Sequence, residues 1–329
     1  MMPRKCLQQG HEDDYNQLLS LFSHEYLHQW NVKRLKPKKF IPYDLQKEVH
    51  TDLLWWFEGG TSWLGDMICL RSGAWDFEAW CKDWKKKLER HFSGNGMHKE
   101  SLCASSHDAW IHLYRPNPYA RESRISYYLE GELVLFCLDA ELRYRSKGLH
   151  GVDDLMVKLY KEHGTIGNRD GIDYKDIRTK LTSMKGGRLL GKWLDRAVRE
   201  QIPPDINRAM TLFGLKIHAN EEDKVGWFGL RTAKKEGRIM VSSFEDGSPA
   251  RAELMPQDEI IAVDGSRILE TKQLQAYAKN HIGEKANFII SRQGVIQSKT
   301  VEILEKPQNP TVVSNDGNKL WKRAIASKI

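Results

Sequence analysis

The chain has 329 residues, 40% of them hydrophobic and 29% charged, with a formal net charge of +7. This length accommodates two domains with a short tail, and the composition is that of a soluble globular protein. No apolar run approaches a membrane span, and the first twenty residues lack the apolar core of a signal peptide.

The five cysteines, Cys6, Cys69, Cys81, Cys103 and Cys137, are scattered without paired metal spacing. They read as reduced thiols in a cytoplasmic protein. The basic runs Lys33–Arg34–Lys36–Lys38–Lys39 and Lys85–Lys86–Lys87 have acidic neighbours, so they read as solvated faces rather than a nucleic-acid surface.

In chain order, Tyr15, Leu18, Leu19, Phe22, Tyr26, Leu27 and Trp30 recur at spacings of three and four and predict an amphipathic helix. Further helices are predicted near 52–70, 76–92, 126–145, 152–163, 174–182 and 187–200. The texture changes after Pro203–Pro204. From about 222 to 306, short β-branched runs (Ile239–Val241, Ile260–Val263, Phe288–Ser291, Thr300–Ile303) alternate with Gly and Asp-Gly turns. The residues from Pro307 read as a loose tail. The predicted class is multidomain α+β, with a mainly helical domain over 1–216, a small β-rich domain over 217–306 and a tail over 307–329.

His24 and His28 are four residues apart, which on a helix directs both imidazoles to one side at the spacing two zinc ligands need. Glu25, next to the first, is suited to hold a proton beside a metal-bound water. Glu58, in LLWWFEGGTSW, is a candidate third ligand from a second helix packed on the first. Gly59 and Gly60 after it fit a close approach of two backbones. The competing readings are a surface helix with two unrelated histidines, and a helix that ends at the glycines with Glu58 exposed. Trp55, Trp56 and Trp63 favour the ligand, because they would bury Glu58 unless something paired with it.

HEYLHQWNVKRLKP (24–37), LLWWFEGGTSWLGD (53–66), HDAWIHLYRP (107–116) and ISYYLEGELV (125–134) together resemble the glycyl aminopeptidase family of zinc metallopeptidases. The resemblance extends over about residues 13–306. It implies a thermolysin-like helical catalytic domain followed by a PDZ domain. It further implies one zinc ion per chain on His24, His28 and Glu58, Glu25 as general base, and a peptide substrate with a small N-terminal residue such as Gly or Ala. In that family a Tyr opening a Tyr-x-Lys-Gly motif donates to the oxyanion; Tyr128 holds this place in Tyr128–Leu129–Glu130–Gly131, with Glu130 where Lys is usual. Asp52, Asp66 and Asp108 are candidates to orient the histidines.

Val225–Leu230 and GSPARAELMPQDEIIAVDG (247–265) resemble a PDZ domain. In that reading Trp227, Phe228, Gly229 and Leu230 form the loop that receives a C-terminal carboxylate, and the helix after Glu270 forms the other wall of a peptide groove. The family carries a β-rich region before the zinc helix, whereas here His24 follows only twenty-three residues. Two functions therefore stay open: a zinc aminopeptidase, and a truncated, catalytically impaired remnant that binds peptides through its PDZ domain. Neither nucleic acid nor membrane is expected as a partner.

Overall fold

The computed structural model describes residues 4–115, 117, 119–166, 170–219, 224–314 and 317–326. Pro116 of the third family-like segment, residues 220–223 of the predicted domain boundary, and residues 315–316 and 327–329 of the predicted tail lie outside that set.

Helix α1 covers Glu12–Leu27, with Glu12, Asp13 and Asp14 in its first turn, where acidic side chains favour the positive end of the helix dipole. Its apolar stripe divides. Leu19 and Leu27 pack on the core, but Phe22 and Tyr26 are 61% and 65% exposed. Helix α2, Gly60–Ser72, is preceded by a π-helical turn over Trp55–Gly59 and ends at Gly73 with φ 74°. Helix α3, Phe77–Phe92, starts where the Asp76 carboxylate accepts from the Ala79 amide at 2.7 Å. It buries Trp80, Trp84 and Leu88, spaced by four along one stripe.

Helix α4, Leu129–Arg145, is buried on nearly every side and is the central element of the helical core. Against it pack α5 (Val152–His163) and, from further along the chain, α7 (Leu190–Arg199), while α6 (Tyr174–Ser183) packs on α5 and α7. Helix α8, Ile206–Phe213, lies in a stretch for which the sequence pattern predicts no helix, just beyond Pro203–Pro204 where the texture changes. Its end signals are nonetheless present: Asp205 accepts from the Arg208 amide at 2.9 Å, and Gly214 closes the helix at φ 72°.

The β-rich part has an antiparallel sheet of β3 (Leu230–Lys235), β4 (Arg238–Phe244), β5 (Glu259–Val263), β7 (Lys285–Arg292) and β8 (Val295–Glu302), in that spatial order, with β6 (Ser266–Arg267) beside β5. Each predicted β-branched run lies in or overlaps one of these strands. Ala286, Phe288 and Ile290 alternate inward along β7, as period two requires. Helix α9, Thr271–Lys279, packs Leu274 and Ala278 into the core of this part. The sheet meets the helical core where the Asp246 amide donates to the Ser93 carbonyl at 3.2 Å and Arg251 Nε lies 2.6 Å from a Glu122 carboxylate oxygen.

Two expectations are corrected. The described residues from Pro307 are not a loose tail: β10 (Pro310–Ser314) pairs antiparallel with β1 (Lys216–Ala219), and α10 (Lys319–Ala326) returns to the helical core. Trp321 on α10 is fully buried, with its ring 4.8 Å from Trp80 and 5.3 Å from Phe213. Burying an indole outweighs the loop-like Pro and Asn residues before it. Nor is Lys85–Lys86–Lys87 a uniformly solvated run. Lys87 follows Trp80 and Trp84 on the inward face of α3, and its ammonium lies 2.6 Å from Glu132 and 2.7 Å from Asp83 and is also bonded to Asp66.

All five cysteines are free. No described helix is long and apolar enough to cross a membrane.

Candidate functional site

The π-helical turn brings the distant motif residues together. Glu58 lies within this turn, where it meets His24 and His28, and π-helical turns occur frequently at functional sites. His24 Nε2 and His28 Nε2 each lie 3.2 Å from Glu58 Oε2. One ligand atom from each of the three residues lies within 4.8 Å of the others. The two imidazoles stand edge to face, with centroids 4.6 Å apart.

Their outer nitrogens are occupied in a way that leaves both Nε2 atoms directed at this point. His28 Nδ1 is 2.9 Å from the Asn31 carbonyl, and His24 Nδ1 is 3.2 Å from Ser62 Oγ. The ring orientation is thus set by a backbone carbonyl and a hydroxyl. The aspartates expected to do this are elsewhere: Asp108 pairs with His107, Asp66 with Ser20 and Lys87, and Asp52 makes neither contact.

Asn31, missed in the sequence, is fully buried. Its amide nitrogen is 3.0 Å from Thr61 Oγ1 and 3.4 Å from the carbonyls of Trp56 and Phe57, so it pins the chain after α1 to the turn that carries Glu58. Among Gln29, Trp30, Val32, Lys33 and Arg34 nothing local marks it, and its role shows only once the packing partner is known.

The electrostatics follow from this convergence. Burial alone would raise the Glu58 carboxyl, but hydrogen bonds and charge from His24 and His28 overcome it and hold it at about 2. Burial acts against a charged His28 ring. Glu58, the Asn31 carbonyl and Glu25 together reverse that and raise its pKa.

Glu25 lines the same cavity of about 820 Å³ and is exposed to solvent. Tyr128 also lines it, with its ring centroid 6.2 Å from that of His24 and stacked on Tyr127 at 4.9 Å. Burial and then the negative charge of Glu58 raise the Tyr128 phenol well above its ordinary value, so it stays a hydroxyl donor at neutral pH. Glu130 turns away from this site and pairs with His91 Nδ1 at 2.8 Å. A cavity with two nitrogens and one carboxylate oxygen at its base is a donor set suited to zinc with one position left over.

The four residues expected to form a peptide loop lie apart from this cavity. Phe228 is a core side chain, its ring 4.9 Å from Phe288, and its carbonyl accepts from the Ala250 amide and Ser248 Oγ. Gly229 has φ 68°, and a Cβ there would meet Ser248 at 2.6 Å. Trp227 pairs with Leu304 in a two-stranded ribbon of β2 (Gly226–Trp227) and β9 (Leu304–Glu305), and Leu230 opens β3.

The geometry, a helical core with a β-rich part after it, matches an aminopeptidase-like fold. A crystal structure of an aminopeptidase N family protein from Idiomarina loihiensis superposes with a TM-score of 0.88 and 26% sequence identity, over 98% of this chain and 57% of that one. The chain thus spans little more than half the length of that relative. A family model described as M61 glycyl aminopeptidase matches residues 17–134, which include His24, Glu25, His28, Glu58 and Tyr128.

Shorter overlaps occur with the HtrA-type protease AlgW bound to a decapeptide (TM-score 0.25, 17% identity, 31% of this chain and 34% of that one) and with the PDZ domain of a carboxy-terminal protease from Vibrio cholerae (TM-score 0.22, 16% identity, 26% of this chain and 98% of that one). Those scores are too low to establish a shared fold. No curated protein matches the chain.

Proposed function

We propose that the chain is a zinc-dependent peptidase, acting as an aminopeptidase on peptides with a small N-terminal residue such as Gly or Ala. The observation that carries this reading is the convergence of His24, His28 and Glu58 donor atoms within 4.8 Å, at a cavity also lined by Glu25 and Tyr128. His24 Nε2, His28 Nε2 and a Glu58 oxygen would hold the ion. When bound, zinc supplies a Lewis acid that acidifies a water and polarises a peptide carbonyl.

The chain's own residues do the rest. Glu25 accepts the proton of the attacking water and passes it to the departing amine nitrogen. The Tyr128 hydroxyl donates to the carbonyl oxygen as that oxygen gains charge. Glu58, Asn31 and Ser62 fix both rings, so no reorientation is needed when substrate arrives.

In the same reading the β-rich part is a PDZ domain. β3 lies at one end of the sheet order, where an extended peptide can add as a further strand beside α9.

The test is zinc content by elemental analysis, together with hydrolysis of Gly- and Ala-anilides, for the parent chain and Glu25→Gln. The reading expects one zinc per chain in both and turnover only in the parent. Zinc retention with no turnover by the parent would instead favour a peptide-binding role.

A further inference from the structure

The loop that leaves α1 at the metal-ligand end is held in a costly conformation. Val32 has φ 119°, which a β-branched residue rarely adopts. Three backbone hydrogen bonds enforce it: Val32 amide to Leu35 carbonyl at 2.9 Å, Lys33 amide to His28 carbonyl at 3.0 Å, and Leu35 amide to Trp30 carbonyl at 2.9 Å. Leu35 is fully buried, and the Lys38 amide bonds the Ile172 carbonyl at 2.9 Å, so the far end of the loop is anchored as well. Strain enforced this strongly collects at ligand clamps and reacting centres.

What the strained turn brings to the cavity is Val32 and Lys33, both of which line it. Lys33 is the one lysine or arginine among the cavity's described lining residues, and it forms no ion pair among the described residues. The carboxylates of the cavity, Glu25 and Glu58, already have assignments in the proposed chemistry. The cavity therefore has a free positive charge on its wall and no negative charge left over.

We propose that Lys33, presented by the strained Val32 turn, anchors a free carboxylate of a short peptide in this cavity. The inference rests on the peptidase reading and names its substrate class: peptides short enough for a carboxylate to reach Lys33 while the scissile bond lies at His24, His28 and Glu58. A volume of about 820 Å³ holds a tripeptide with room for water. The carboxylate comes from the peptide's C-terminus or from an acidic side chain, and both present the same chemistry to an ammonium.

The test compares Gly-Ala-Ala, its C-terminal amide, and Gly-Ala-Glu amide. Binding is measured by calorimetry to the zinc-loaded Glu25→Gln chain, and hydrolysis with the parent. The expected result is roughly fivefold tighter binding of a carboxylate-bearing peptide over Gly-Ala-Ala amide, as one partly hydrated ion pair gives. Preference for Gly-Ala-Ala assigns the C-terminus, and preference for Gly-Ala-Glu amide assigns the side chain. Adding Lys33→Met should bring the ratio to about one, and Lys33→Arg should preserve it.

Equal binding of acid and amide by the parent site, or no binding of any of the three, overturns the anchor. So does an equal loss for all three in Lys33→Met. Turnover without a carboxylate preference removes the anchor and leaves the peptidase reading in place. A preference abolished by Lys33→Met in a chain without turnover does the reverse.

Discussion

Gly59 and Gly131 meet backbone to backbone: a Cβ on Gly59 would lie 2.6 Å from the Cα and carbonyl carbon of Gly131. The first residue follows Glu58 directly and the second is three after Tyr128, so this contact sets how far the candidate ligand lies from the candidate oxyanion donor. Gly59→Ala has backbone against it, and the helices must separate. A loss of about 1–3 kcal/mol in unfolding free energy is expected, with weakened zinc binding. Gly60→Ala is the control, because its Cβ would meet no backbone, only the side-chain ends of Leu135 (Cδ1, 3.0 Å) and Met156 (Cε, 3.5 Å), atoms that can move. Denaturant unfolding of the two variants with and without zinc checks this. Equal zinc affinity in the Gly59 variant and the parent would show that the contact does not set the site.

Lys87 is a second tie among the same elements. Ser20 on α1 donates to Asp66 on α2 at 2.8 Å, and Lys87 on α3 bonds Asp66, Asp83 and Glu132, the last one turn beyond Tyr128 on α4. Burial pushes the Asp66 and Glu132 carboxyls up despite the ammonium between them. Lys87→Met leaves those carboxylates without their counter-charge, at an expected cost of about 3–5 kcal/mol near neutral pH.

The sign of the pH dependence is fixed. Carboxyls raised in the fold bind more protons folded than unfolded, so stability falls as pH rises above the unfolded value near 4. The deficit of Lys87→Met should therefore shrink as pH is lowered toward that value. Unfolding curves at several pH values decide it; a deficit independent of pH would mean that packing, not charge, is lost.

How far the sequence could be read depended on the distance over which each signal acts. His24 and His28 are one turn apart on a single helix, and that spacing is visible without any tertiary structure. Glu58 was reachable because three tryptophans around a carboxylate imply a buried partner. Asn31 and Ser62 carry no local pattern, since their role exists only once α1 and the π-turn are packed. Lys87 was misread for the opposite reason: a run of three lysines looks solvated, and only the Trp80–Trp84 stripe shows that the third faces inward. The residues after Pro307 were misread because Pro and Asn are strong local loop signals, while the cavity that Trp321 fills is built by distant helices.

Tyr128 offers a separation of binding from chemistry. Removing one oxyanion donor costs about a hundred- to a thousandfold in turnover. Tyr128→Phe keeps the ring stacked on Tyr127 and removes only the hydroxyl, so zinc content and folding should be unchanged while anilide hydrolysis falls by that factor. A drop of less than threefold would take Tyr128 out of the reaction.

The His28–Glu58 pair predicts the behaviour of the metal-free chain. Glu58 is depressed from 4.5 to about 2, so its contribution is complete above pH 4.5 and is lost as pH falls toward 2. The shift corresponds to about 3 kcal/mol as an order of magnitude. His28 is raised above 6.5, so its contribution is complete below pH 6.5 and is lost as pH rises through its folded value. Both are present together only between about pH 4.5 and 6.5, and the metal-free chain should gain most from the pair there. Zinc requires His28 without its proton, so its apparent affinity should fall about tenfold per pH unit below the raised His28 value. Glu58→Gln removes the anionic partner of both rings. It should flatten the stability profile of the metal-free chain and lower His28 toward its ordinary range, which proton NMR of the imidazole reads directly. An unchanged His28 titration in that variant would mean that the carboxylate does not control the ring, and that its 3.2 Å approach has no electrostatic consequence.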